Sequence, residues 1–130
     1  MQIQTTRFGS VLIQENDLVI LPEGMLGFSD LRKFVIIEDA EDLIFAWLQS
    51  CERPHVAFPI LEPELFSSDY KVKLSKNDRE TLKLSGDESF RIFTIVTIPE
   101  DVTLMTANLK APIAINVRSR LAKQVVTQEN

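Results

Sequence analysis

Apolar residues recur at every second position through much of this chain, and that period limits the folds open to it. Tyr70, Val72 and Leu74 alternate with Lys71 and Lys73. Ile113, Ile115 and Val117 alternate with Ala114 and Asn116. Successive side chains of a strand point to opposite faces, so such stretches read as strands with one buried side. Ser89–Ile98 is apolar and β-branched on both faces, which suits a central strand. The segments at 1–8, 11–13, 17–21, 33–38, 44–50 and 55–60 read as further short strands. Helical signals are few. Ser75 reads as an N-cap with Asp78 three residues on, a capping box that predicts a helix of about two turns. Ser29 reads as the cap of a single turn through Lys33, and Pro63 as the opening of another.

A chain of 130 residues with this many strands has no room for helical crossovers. The expectation is one domain over 1–130, mainly β: a small antiparallel β-barrel, closed or nearly so, with a few short helical turns. Pro59 and Pro112 lack a donor and belong at strand starts, edges or bulges. Gly24 and Gly27 are expected in turns that need positive φ. Asn108 and Asn116 sit in strand-like runs that disfavour asparagine, and suggest bulges or side-chain bonds to nearby backbone.

The formal charge is −5, from 14 basic and 19 acidic residues. Such a surface repels phosphate and favours a basic partner, so direct nucleic-acid binding is not expected. No apolar run is long enough to span a bilayer as a helix, and the N-terminus lacks the pattern of a signal peptide, so a cytoplasmic protein is expected. Cys51 and His55, the sole cysteine and histidine, allow two functional readings, a thiol nucleophile with its base or a pair of metal ligands. A strand-connecting loop with an incidental thiol is the favoured reading. No cofactor, metal or catalysis is expected. Gly24–Gly27 has the G-x-x-G spacing of a nucleic-acid clamp but lacks basic flanks, and reads as a plain turn. Arg118, Arg120 and Lys123 have no aromatic platform beside them and read as a solvated hairpin turn.

Acidic residues cluster at Glu38, Asp39, Glu41 and Asp42, and again at Glu62, Glu64 and Asp69. A docking surface for a basic partner fits them better than acid–base catalysis. Phe66 stands beside the second cluster, either as an exposed apolar anchor or as a core residue.

Three longer motifs occur in order. Residues 21–37, LPEGMLGFSDLRKFVII, resemble the glycine-containing entry segment of the FliW family. WLQSCERPHVAFPILEP, at 47–63, resembles that family's segment in which Leu-Gln-Ser precedes a proline, an apolar strand and a second proline. The closing stretch FTIVTIPED, then TANLKAPIAINVRSRLAKQVV, resembles its Asn-Leu, Ala-Pro-Ile, Asn and Gln-Val signature. The chain departs from the family at Leu26, where proline is frequent, and near Ala122, where glycine is common. The resemblance implies a non-enzymatic β-barrel that binds flagellin and also CsrA, the dimeric RNA-binding repressor of flagellin translation. Free protein would capture CsrA and relieve repression, and flagellin would displace it. On this reading Glu38, Asp39, Glu41 and Asp42, extended by Glu64 and Asp69, face CsrA, and Phe66 anchors flagellin. The alternative is a small ligand- or oligonucleotide-binding barrel.

Overall fold

The structure, a computed structural model, describes residues 1–38, 45–65, 69–86, 89–98 and 100–126. Its strands are β1 (Gln2–Thr5), β2 (Gly9–Leu12), β3 (Leu18–Ile20), β4 (Lys33–Glu38), β5 (Ala46–Ser50), β6 (Ala57–Leu61), β7 (Phe90–Thr97), β8 (Thr106–Ala107), β9 (Ile113–Asn116) and β10 (Ala122–Gln124). Helix α1 spans Lys76–Thr81, and single 3-10 turns lie at Glu15–Asp17, Pro63–Leu65 and Val102–Leu104. The main sheet runs β10-β9-β7-β6-β5-β4-β3, antiparallel at every pair. A single parallel bridge, Ile20 to Leu121, joins its two ends, with Ile20 N donating to Arg120 O at 2.9 Å. The expected nearly closed barrel is therefore what forms, and its seam is one hydrogen-bonded bridge wide.

Alternation decides what each face does. Phe34, Leu48, Ile60, Phe93, Ile113 and Ile115 point inward and fill the barrel with side chains. The outer face is also apolar over much of its area, so it needs covers. The hairpin β1–β2 is one, setting Ile3 and Ile13 on Val35 and Ile37. The second is the stretch from Val72 through α1 to Leu84, which sets Leu74, Leu82 and Leu84 on Ala114, Ile92 and Val125.

Local signals were reliable guides to the short elements. Ser75 Oγ accepts from Asp78 N and Asp78 returns a bond to Ser75 N, the capping box read from sequence. Pro63 does open a turn, and Pro112 does precede a strand. Pro59 sits inside β6, one residue before that strand's ladder with β7 begins. Gly24 and Gly27 have φ of 71° and 83°. The turn after Ser29 is shorter than expected: Leu31 N donates to Phe28 O, and the amides of Arg32 and Lys33 go instead to Glu52 Oε1. One strand expectation is overturned. Tyr70–Leu74 has the burial alternation of a strand but belongs to no ladder. Its apolar residues are held by the outer face of the barrel, and that packing alone produces the alternation.

Candidate functional site

A third part of the outer face lies under neither cover, and its strand residues Leu61 and Val96 are buried beneath the walls of a cleft. Leu61 of β6, Val96 of β7 and Ala107 of β8 lie on that face, because their neighbours Ile60 and Ile95 point into the barrel. Among the described residues, these three form the floor of an open apolar cleft of about 230 Å³. Pro63, Tyr70, Met105 and Leu109 form its walls.

One irregularity builds the Leu109 wall. Val96 pairs with Ala107, and Phe93 pairs with Ile113. Three steps back along β7 are thus matched by six steps forward along its neighbour. β8 and β9 are one strand interrupted by a three-residue bulge. Asn108 shapes it: its N donates to Ile95 O, and its side-chain oxygen accepts from Lys110 N at 3.2 Å. The bulge pushes Leu109 out of the ladder, and Tyr70 Oη donates to Leu109 O at 2.8 Å, tying the two walls together. Leu65, Ile98, Leu104, Met105 and Leu109 are exposed on the segments that border the cleft. Apolar side chains exposed together in this way make the cleft the candidate interaction site. Fully burying a side chain of this kind contributes about 1.5–3 kcal/mol, so a partner covering two or three of them gains a usable anchor.

Acid surrounds the cleft. Glu64 stands on the 3-10 turn that carries Pro63, and Asp69 directly precedes Tyr70; both are exposed. Asp101 stands in the loop between β7 and β8, its carboxyl held below the usual carboxylate range by hydrogen bonds from the Thr103 hydroxyl and amide. Glu38 ends β4 at the same end of the barrel, since Glu38 pairs with Ala46 and Ala46 with Ile60. Glu62 is engaged with Arg91 at 2.6 Å in a half-exposed pair. Lys110 is the basic residue on this rim. The structure therefore brings Glu38, Glu64 and Asp69 to one end. Asp39, Glu41, Asp42 and Phe66 lie outside the described residues. The cleft itself was missed from sequence, although β7 signalled it: a strand apolar on both faces needs something on its outer side.

The other sequence candidates resolve into framework. Burial is the main force pushing the Cys51 thiol up to about 11, with Glu52 adding to it, so it stays protonated at neutral pH. The loop Cys51–His55 is shaped by Ser50, whose hydroxyl accepts from the amides of Glu52 and Arg53. Among the described residues no group of three or more His, Cys, Asp or Glu could hold a metal ion. Met25 and Phe28 exchange backbone bonds across Leu26 and Gly27, which makes the G-x-x-G stretch a tight hairpin turn. Arg118 and Arg120 do lie in the turn between β9 and β10, yet the solvated-turn expectation fails for two of the three cations. Arg120 donates to Leu18 O and Asp17 O across the barrel seam. Lys123 is only 12% exposed and holds Asp78 at 2.7 Å and Glu23 at 3.5 Å. Asn116 is fully buried, and its amide donates to Leu82 O while its carbonyl accepts from the amides of Arg118 and Ser119. Its expected bonds to local backbone are present, with further bonds to Leu82 O and Lys83 O just past α1.

Comparison with known proteins agrees with this architecture. The family model described as FliW protein matches residues 2–130. The flagellar assembly factor FliW of Bdellovibrio bacteriovorus is 57% identical over 130 residues, covering all of this chain and 74% of that protein. Its counterpart in Geobacter sulfurreducens is 38% identical over 98% of this chain and 80% of its own length. A crystal structure of the flagellar assembly factor FliW superposes with a TM-score of 0.90 at 35% identity, covering all of this chain and 91% of that one. The chain belongs to the FliW family of flagellar assembly factors.

Proposed function

We propose that this chain acts in flagellar assembly by binding flagellin, and that when free of flagellin it captures the translational repressor CsrA and relieves repression of flagellin translation. It does this as a cytoplasmic, non-enzymatic binding protein. The observation that carries the reading is the acid-rimmed apolar cleft on the outer face of β6, β7 and β8, in a chain whose relatives are named for flagellar assembly. An apolar floor with a polar rim is the anatomy of a protein-docking site. Flagellin supplies the apolar segment that enters the cleft. CsrA, being basic, is drawn by Glu38, Glu64, Asp69 and the neighbouring Asp39, Glu41 and Asp42. Phe66, which lies between the 3-10 turn and Tyr70 in the chain, remains the proposed additional anchor for flagellin. No helix of the described residues is long and apolar enough to cross a membrane. A small-ligand barrel is less well supported, because the barrel interior is filled by Phe34, Leu48 and Ile60.

Titration calorimetry of the purified chain with flagellin and with CsrA tests the reading. Both should bind, and Leu109→Asp should weaken flagellin at least tenfold while leaving the fold cooperative. Absence of binding to either protein would overturn it.

A further inference from the structure

The stretch Tyr70–Leu74 has a strand's sequence and a strand's alternation of burial, but among the described residues no strand pairs with it. Val72 and Leu74 are held against Ala114, Ile92 and Val125, so the segment is fixed in place. The backbone groups of Lys71, Val72, Lys73 and Leu74 make no hydrogen bond among the described residues. An extended, anchored and unpaired backbone is a template for another strand.

A groove of about 740 Å³ runs beside it. Lys71, Lys73 and Leu74 form one wall, and Lys123–Val126 with Leu26 form the other. The groove is preorganised. Gln124 Oε1 accepts from Leu26 N at 2.9 Å, and its amide donates to Ala111 O. Lys123 clamps Asp78 and Glu23. Leu26 is nonetheless 63% exposed and Val126 70% exposed at the groove's edge. The carboxylates in the groove are spent on Lys123, whereas Lys71 and Lys73 have no ion-pair partner among the described residues. On a chain of net charge −5 this is a locally basic, apolar-edged slot.

We propose that this groove is a strand-acceptor site, in which an extended acidic segment of another protein pairs its backbone with Lys71–Leu74. Alternate residues of the incoming strand repeat at about 7 Å, the spacing of Lys71 and Lys73 themselves, so carboxylates at every second position meet both lysines. The intervening apolar side chains reach Leu26 and Val126. Lysine heads, held apart and half solvated, select charge, and the backbone pairing supplies geometry. The groove shares no lining residue with the apolar cleft, and it stands or falls independently of flagellin binding.

The probe is a capped peptide of alternating glutamate and valine, three of each, titrated into the ¹⁵N-labelled full chain. Amide shifts and slowed hydrogen exchange should appear at Lys71–Leu74. Replacing the glutamates by lysines, or making Lys71→Glu together with Lys73→Glu, should weaken binding at least tenfold. Of two peptides N-methylated on alternate amides, along one edge or the other, one should fail and one should bind. The proposal is overturned if those amides do not respond, if the lysine peptide binds equally well, or if both methylated peptides bind like the parent. It is overturned too if Lys71–Leu74 is already protected in the free chain, since residues 127–130 or a second copy would then occupy the groove.

Discussion

Gly24 is the residue with least freedom to change. Its φ is 71°, and an added Cβ would stand 2.5 Å from Ser29 O, a backbone atom that cannot step aside. Gly24→Ala should therefore cost roughly 1–3 kcal/mol from the left-handed conformation alone, with the clash in addition. Urea unfolding at equilibrium measures it. Asn116 carries a comparable load, because Asn116→Ala removes its bond to Leu82 O and leaves two turn amides without their side-chain acceptor. A loss of about 1–3 kcal/mol is expected. Asp78 links stability to pH. Burial works against its charge, but the bonds from Lys123 and Ser75 outweigh it and hold its pKa below the usual aspartate range. The stabilisation is thus complete above the unfolded-state pKa, about 3.9, and is lost as pH falls through the lower folded value. Asp78→Asn should flatten the acid limb of a stability–pH curve below about pH 4. At this scale the sequence was legible where the interaction was local. Ser75 and Asp78 are three residues apart and were readable. Asn116 and Leu82 are 34 apart, and Lys123 reaches Asp78 because the α1 segment packs on the outer face around Ala114 and Val125.

Among the elements, the β8–β9 bulge separates stability from binding. Asn108, Leu109 and Lys110 are register partners of no β7 residue, and their backbone bond to that strand is the one from the Asn108 amide to Ile95 O. Deleting Asn108, Leu109 and Lys110 would join Ala107 to Ala111 and let one register run through both strands. The expected outcome is cooperative thermal unfolding with flagellin binding lost, because the Leu109 wall and its bond from Tyr70 are gone. Circular dichroism melts beside a binding titration would decide it; retained affinity would place flagellin elsewhere. Strand positions were legible because period two survives whatever the strands pair with. Pairing was not, and Tyr70–Leu74 shows why. Its lysine-apolar alternation reports one buried face, which packing on the barrel satisfies without any hydrogen-bonded neighbour.

For the whole molecule, the division of labour follows from how a barrel this small is covered. Its interior is closed with side chains, its outer face is apolar, and the hairpin β1–β2 and the α1 segment cover only two parts of that face. Charge acts over longer range. Replacing Glu38, Asp39, Glu41 and Asp42 together by Gln or Asn should slow CsrA association and flatten its salt dependence in stopped-flow measurements, while single replacements do little, since exposed pairs contribute only about 0.2–1 kcal/mol. An unchanged rate and salt slope would leave that turn as solvated surface. Composition made the acidic surface legible, and period two the small barrel. Neither could show the cleft, which exists only because three strands, one turn and a bulge converge. The central claim is that this cleft and its exposed apolar walls receive flagellin. Hydrogen exchange of the chain, free and saturated with flagellin, reads it most directly. Protection confined to Thr94–Thr97, Met105–Leu109 and the turn at Pro63–Leu65 is the expected footprint. Protection on the β1–β2 hairpin, with those segments unchanged, would contradict it.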